Sequence, residues 1–226
     1  MNPIICALDT QDLNKAISLA NVLRDKVGMI KLGLEFFAAH GPSGVREVAK
    51  CNIPIFLDLK LHDIPNTVAR TIEAIKILDV EMITLHISGG TKILKEALSV
   101  VQGKKIKLIG VTVLTSMINE DLSELGVARE AKSQVILLAK LAKKIGLHGV
   151  VCSALEAQEV RQKCGKDFKI ITPGIRMNST HNDQKRTATP KEAINSGTDY
   201  IIIGRPITKS DNPASSAELI LKSLTD

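Results

Sequence analysis

The chain has 226 residues, 44% hydrophobic and 24% charged, a globular balance that argues against disorder and low complexity. Aromatics make up only 2%, with no Trp, so the core should be aliphatic and a base-stacking platform for single-stranded nucleic acid is disfavoured. Thirty Lys and Arg against 24 Asp and Glu leave a net charge of +6, dispersed along the chain, which favours a phosphorylated small molecule over a polymeric partner.

Short β-branched runs recur from end to end. They are 4–8, 29–32, 55–59, 82–86, 107–112, 149–152, 169–172 and 200–203, eight candidate strands. Most are continuously apolar, as expected for strands covered on the outside and packed within. Helical patterns lie between them. Leu13, Ile17, Ala20 and Leu23 step by three and four over 13–24, and 65–77, 92–101, 133–145 and 154–163 behave alike. Thr189-Pro190-Lys191-Glu192 has the form of a capping box with Pro at the first helical position, and Asn212-Pro213 opens the last helix in the same way. Gly28, Gly103, Gly146, Gly165 and Gly197 follow helical patterns, where left-handed terminating glycines belong.

This alternation predicts an α/β fold, a single (β/α)8 barrel over 1–226; a doubly wound sheet with two extra strands is the alternative. Cys6 and Cys152 fall inside apolar runs and read as core. No Cys/His spacing matches a zinc site, and no HExxH, EF-hand, GxGxxG or Walker A pattern occurs. The opening MNPIICALD has no basic n-region and meets an acid at Asp9, so no signal peptide is expected. No apolar run approaches the roughly 20 residues that span a bilayer, and a cytoplasmic location with no membrane partner is expected.

A barrel places its chemistry at the C-terminal ends of its strands. Those ends carry Asp9, Lys31, Asp58 and Lys60, then His86, Thr115 and Ser116, then Arg176, and finally Gly204 and Arg205. Period-two alternation puts Asp58 and Lys60 on one face of their strand, about 6.6 Å apart along it. Leu57, Leu59 and Leu61 then face the helices, and His62 turns away from the mouth. Charges in an aliphatic barrel mouth need partners, and Asp9 and Lys31 on adjacent strands can supply them. An ion-pair plug is the structural reading of such a cluster; four charges at the active face favour catalysis. A lysine set among carboxylates is a poor amine nucleophile and a good cation or proton donor for developing negative charge. Gly204-Arg205 after the eighth strand suits a phosphate, because glycine allows close approach and arginine offers a fork. The polar stretch 177–189 reads as a lid over the mouth.

The Asp58-x-Lys60-x-x-Asp63 core, written DLKLHDIPNT, resembles the signature of the orotidine 5′-phosphate decarboxylase family in its bacterial form. The resemblance extends through ALD at 7–9, IKLGLEFF at 30–37, VTVLTSM at 111–117, TPGIR at 172–176, DQKR at 183–186 and IIIGRPI at 201–207. It implies a cofactor-free, metal-free homodimer that converts orotidine 5′-monophosphate to UMP and CO2. It implies that Lys60 protonates the C6 carbanion, that Asp58 sits against the departing carboxylate, and that Lys31 and Asp9 meet the ribose. Asp63, with Ile64 and Thr67, comes by the same resemblance from the second subunit. Thr115 or Ser116 contacts the base, and Arg176, Gln184, Gly204 and Arg205 hold the phosphate. Two rivals remain on sequence grounds. One is a metal-dependent sugar-phosphate decarboxylase or synthase sharing DxKxxD, against which Lys31 counts because those enzymes place a metal-binding Glu at that strand end. The other is a silent barrel that binds a phosphorylated metabolite.

Overall fold

The computed structural model describes residues 2–176 and 186–224. Eight strands, β1 (Ile4–Ala7), β2 (Met29–Gly33), β3 (Ile55–Leu61), β4 (Met82–His86), β5 (Lys107–Val111), β6 (Gly149–Val151), β7 (Lys169–Thr172) and β8 (Tyr200–Ile203), pair in sequence order and close on themselves. Every pairing is parallel, including the closing one between β1 and β8. The (β/α)8 barrel expected from the alternation is therefore the fold. A doubly wound sheet would leave open edges.

Helices α1 (Leu13–Leu23), α2 (Leu34–Ala49), α3 (Pro65–Ile75), α4 (Thr91–Val101), α5 (Asn119–Glu124), α6 (Ala131–Ile145), α7 (Ala154–Cys164), α8 (Pro190–Asn195), α9 (Arg205–Thr208) and α10 (Pro213–Lys222) connect and cover the strands. Side chains alternate across the strands and make two cores. Ile4, Cys6, Ile30, Leu32, Leu57 and Leu59 point outward into the large core beneath the helices. Ile5, Ala7, Met29, Phe56, Met82, Ile109, Ile171, Tyr200 and Ile202 fill the barrel interior. Four of the chain's five aromatic residues are phenylalanine, so aliphatic side chains do most of the filling. All four cysteines are buried free thiols; burial of Cys6 pushes its pKa up to about 12, which makes it inert packing.

Local signals hold where chemistry is local. The N–H of Glu192 donates to Thr189 Oγ1 at 3.3 Å, and the N–H of Thr189 donates to Glu192 Oε2 at 2.8 Å, completing the capping box of α8. Asn212 caps α10 by accepting from the N–H of Ser215 at 3.0 Å. Gly103, Gly146, Gly165 and Gly197 all have positive φ. The densest basic cluster is solvated as expected: Lys104 and Lys105 are exposed, and Lys107 pairs with Glu81.

Three expectations need correction. Helix α2 was absent from the sequence reading because Gly41-Pro42-Ser43-Gly44 has the composition of a loop; the helix kinks there, with Gly41 at φ +54°. The short helices α5 and α9, six and four residues long, were also missed, being too brief to show a period. Gly28 is not a left-handed terminator. Its N–H donates to the carbonyl of Ile4 at 2.9 Å, and a Cβ there would lie 2.1 Å from the carbonyl oxygen of Asn2. It is glycine because the segments entering β1 and β2 run side by side there with no room for a Cβ. Gly28→Ala should therefore cost about 1–3 kcal/mol in urea unfolding, the range for overpacking. A change below about 0.5 kcal/mol would mean that the N-terminal segment yields freely.

Candidate active site

The strand alternation that fills the barrel with Ala7, Met29 and Phe56 brings Asp9, Lys31 and Asp58 to its C-terminal mouth. Asp58 and Lys31 side chains are only 9% and 10% exposed. Lys31 Nζ lies 3.1 Å from Asp9 Oδ1 and 3.6 Å from Asp58 Oδ2. Lys60 Nζ lies 2.7 Å from that same Asp58 Oδ2. Asp58 thus stands between two ammonium groups, and the four charges alternate in sign as anticipated. Gly33 makes room for them: a Cβ at that position would sit 3.0 Å from Lys31 Nζ and 3.4 Å from Asp9 Oδ1.

Simple alternation does not explain how Lys60 reaches Asp58. The pairing of β3 with β4 jumps from Leu57↔Ile83 to Leu61↔Leu85, so four residues of β3 advance against two of β4. Lys60 sits in this bulge with φ +50°, in the left-handed region. Such a conformation costs a non-glycine residue about 1–2 kcal/mol. Thr84 holds it. The N–H of Lys60 donates to Thr84 Oγ1 at 2.8 Å, and that hydroxyl donates to Asp58 Oδ1 at 2.9 Å. One hydroxyl fixes both the strained backbone and the carboxylate. Sequence reading missed Thr84, although its place between Met82 and His86 in an alternating run put it on the inner face.

Burial alone would raise the pKa of Asp58. The charges of Lys31 and Lys60, with hydrogen bonds from Lys60 and Thr84, outweigh that and hold it below the ordinary carboxylate range.

Above the array lies a cavity of about 290 Å³, lined by Asp9, Lys31, Asp58, Lys60, Thr115, Ser116, Arg176, Gly204 and Arg205 together with the apolar residues Ala7, Val111, Val113, Val151, Pro173 and Ile202. The structure therefore gathers nine sequence-predicted residues around one space. Thr115 is buried and Ser116 exposed, and both line it. A Cβ on Gly204 would meet only Ala7, at 3.6 Å, and Asp9 Oδ2, at 4.0 Å, so glycine here widens the mouth rather than relieving a backbone clash.

Asp63, Ile64 and Thr67 do not line this cavity. All three are exposed; Asp63 Oδ1 accepts from the N–H of Ile64 at 2.7 Å, and Ile64 is 67% exposed. Gln184 lies outside the described residues, as does most of the stretch read as a lid. His62 is exposed and turned from the mouth as anticipated; its ring centroid lies 5.3 Å from that of half-buried His86, and neither lines the cavity. Burial, with His62 and Lys60 nearby, lowers the His86 pKa. Ser153, at the sixth strand end, caps α7 through the N–H of Leu155. Among the described residues, no group of three His, Cys, Asp or Glu could hold a metal ion, and no helix is long and apolar enough to cross a membrane.

A family model described as "Orotidine 5'-phosphate decarboxylase / HUMPS family" matches residues 2–220. The chain belongs to this family. Among its relatives, an orotidine 5′-phosphate decarboxylase of Wolbachia pipientis subsp. Culex pipiens (strain wPip) is 91% identical over the full length of both chains. One from Ehrlichia canis (strain Jake) is 56% identical over 99% of this chain and 98% of its own. The crystal structure of orotidine 5′-phosphate decarboxylase from Lactobacillus acidophilus superposes with a TM-score of 0.87 at 36% identity, covering all of both chains.

The depressed pKa of Asp58 has a consequence for stability. A carboxyl whose folded pKa lies below its unfolded value stabilises fully above the ordinary range near pH 4, and loses that contribution as the pH falls through and below it. Asp58→Asn should thus lower the unfolding free energy near pH 7, with the gap from the native chain narrowing near pH 3. Urea titrations at both pH values measure it; a gap that widens in acid contradicts the balance of charges described above.

Proposed function

We propose that this chain decarboxylates orotidine 5′-monophosphate to UMP and CO2 in de novo pyrimidine synthesis, as a carboxy-lyase formed by one domain spanning 1–226. One observation carries this reading: two ammonium groups flank a buried carboxylate, with Lys60 Nζ at 2.7 Å and Lys31 Nζ at 3.6 Å from Asp58 Oδ2, at the base of a cavity that Arg176 and Arg205 also line.

The chemistry follows from charge. The bond from C6 of the pyrimidine to its carboxylate breaks, its electron pair stays on C6, and CO2 leaves. A proton then passes from Lys60 Nζ to C6, giving UMP, and solvent returns a proton to the amine. Asp58 faces the substrate carboxylate, so like charges meet in the ground state and part as neutral CO2 forms. Lys60 stabilises the carbanion before quenching it. The array is held together by its own ion pairs, so little reorganisation is needed during the reaction. Lys31 and Asp9 hold the ribose hydroxyls, and Thr115 or Ser116 meets the base. Arg205, Gly204 and Arg176, with Gln184, take the phosphate, whose binding energy orders the site around the reacting carbon.

Lys31 also weighs against a metal-dependent relative. Its ammonium lies between Asp9 and Asp58, within 3.1 and 3.6 Å, in the space a divalent cation would need.

The functional unit we propose is a homodimer in which Asp63, Ile64 and Thr67 of the partner subunit complete each site. The support is that these residues follow the charged strand directly yet face outward, with a large apolar side chain, Ile64, 67% exposed. The four buried free thiols suit a reducing, cytoplasmic setting.

The deciding experiment follows the ultraviolet absorbance of orotidine 5′-monophosphate as UMP forms. Lys60→Ala should lose turnover by at least about 10³-fold while keeping its circular dichroism and its affinity for UMP, because a proton donor is gone and the fold is not. Near-native turnover in that variant overturns the assignment. A shared site makes a second prediction. Asp63→Ala and Lys60→Ala, each nearly inactive, should regain activity when mixed and allowed to exchange subunits, approaching about one quarter of native because half of the chains form hybrids with one intact site. Proven exchange without recovery removes Asp63 from the partner's site.

A further inference from the structure

Arg186 is a buried arginine that the reaction as derived above does not use. It is 8% exposed, and its counter-charge, Glu156 in the first turn of α7, is 3% exposed. Arg186 Nη1 donates to Glu156 Oε1 at 2.5 Å. Arg186 Nη2 donates to two backbone carbonyls, Val113 at 3.3 Å and Leu114 at 3.2 Å. A guanidinium can grip a carboxylate with two parallel bonds. Here it does not: among the described residues neither Nε of Arg186 nor Oε2 of Glu156, both buried, has a hydrogen-bond partner. The fork is spent across two elements instead.

Those carbonyls have a particular place. The oxygen of Leu114 belongs to the peptide bond leading into Thr115, and Val113, Leu114, Thr115 and Ser116 together line the cavity beside the charge array. On its other side Arg186 is two residues from Ala188. The carbonyl of Ala188 accepts from the N–H of Arg176 at 3.0 Å, and its N–H donates to the carbonyl of Gly174 at 3.3 Å. Gly174 and Arg176 also line the cavity. Arg186 therefore stands where the base-side wall and the phosphate-side wall meet behind the site, anchored to the scaffold through α7.

We infer that Arg186 is a positioning residue for the decarboxylation: it fixes the Val113–Ser116 wall, and with it the base, in register with the wall that carries Arg176, while Glu156 serves to anchor it. The inference rests on the function proposed above. Burying a half-satisfied ion pair is a poor route to stability, so a purely structural role accounts badly for the arrangement; in a positioning role the two carbonyl bonds hold the wall and the bond to Glu156 anchors the fork. A misplacement on the scale of an ångström suffices to cost a large factor in rate.

Two variants separate the roles. Arg186→Lys keeps a cation for Glu156 but has one nitrogen, which cannot also hold both carbonyls. Glu156→Gln removes the counter-charge but keeps an oxygen that can accept from Arg186 Nη1, so the anchor and the fork on Val113 and Leu114 both stay. Positioning predicts that Arg186→Lys lowers kcat/KM and UMP affinity by about tenfold with Tm nearly unchanged, and that Glu156→Gln lowers Tm with UMP affinity within about twofold of native. Calorimetric titration with UMP, thermal melts and the absorbance assay read all of these. Native affinity and kcat/KM in Arg186→Lys overturn the inference. So does a loss of UMP affinity in Glu156→Gln that tracks its loss of Tm, and this second arm can overturn the inference even if Arg186→Lys does not fold. The native protein in the same assays keeps the two proposals apart. Turnover and UMP binding by the native chain with unaffected variants sink only the role of Arg186; absence of both in the native chain sinks the proposed function and this inference with it.

Discussion

The carboxylate of Asp58, shared between the ammonium groups of Lys31 and Lys60, is the interaction on which the site depends. A lone carboxylate at this depth would be driven toward its neutral form. Here the charge of Asp58 is kept by its neighbours, and the balance leaves it more acidic than an ordinary carboxyl. The arrangement is therefore indivisible: removing one member alters the electrostatics of the rest. The fold supplies the setting through plain alternation, because Ala7, Met29 and Phe56 fill the barrel interior and the next inward positions on their strands are Asp9, Lys31 and Asp58.

The backbone yields to the charges at Lys60. A regular strand would keep β3 in step with β4, and β3 leaves that register to bring the Lys60 amine to 2.7 Å from Asp58. The left-handed residue that results is held by Thr84, which touches the backbone and the carboxylate together. Strain concentrated at one residue and over-determined by its surroundings is a common property of reacting centres, because it persists only where several contacts agree.

The two ends of the cavity are built by different parts of the chain. The charge array comes from β1 to β3 and the loops after them; the arginines come from the segments following β7 and β8. Between them run Val113 to Ser116, and behind all of these lies Arg186. A barrel closes its strands tightly and leaves its loops to be positioned by side chains, so contacts such as Arg186 to the Leu114 carbonyl link halves of a site that the sheet does not connect.

Much of this was legible in the sequence. The eight β-branched runs match the eight strands to within two residues at either end, because strand formation here depends on local apolar composition. Asp9, Lys31, Asp58, Lys60, Thr115, Ser116, Arg176, Gly204 and Arg205 could be placed at the mouth because parallel βα units put every strand end on one side. The kinked helix α2 was hidden by Gly41-Pro42, whose composition is that of a turn whatever the chain does around it. Gly28 is glycine for a reason that exists only between segments, since the carbonyl of Asn2 occupies the space a Cβ would take, and at Gly33 a Cβ would crowd the amine of Lys31 and the carboxylate of Asp9. The bulge at Lys60, the bridging hydroxyl of Thr84 and the buried pairing of Glu156 with Arg186 were decided by tertiary structure alone. Periodicity reports which face of an element is buried; it carries no record of register between strands or of which polar group a buried charge finds across the barrel.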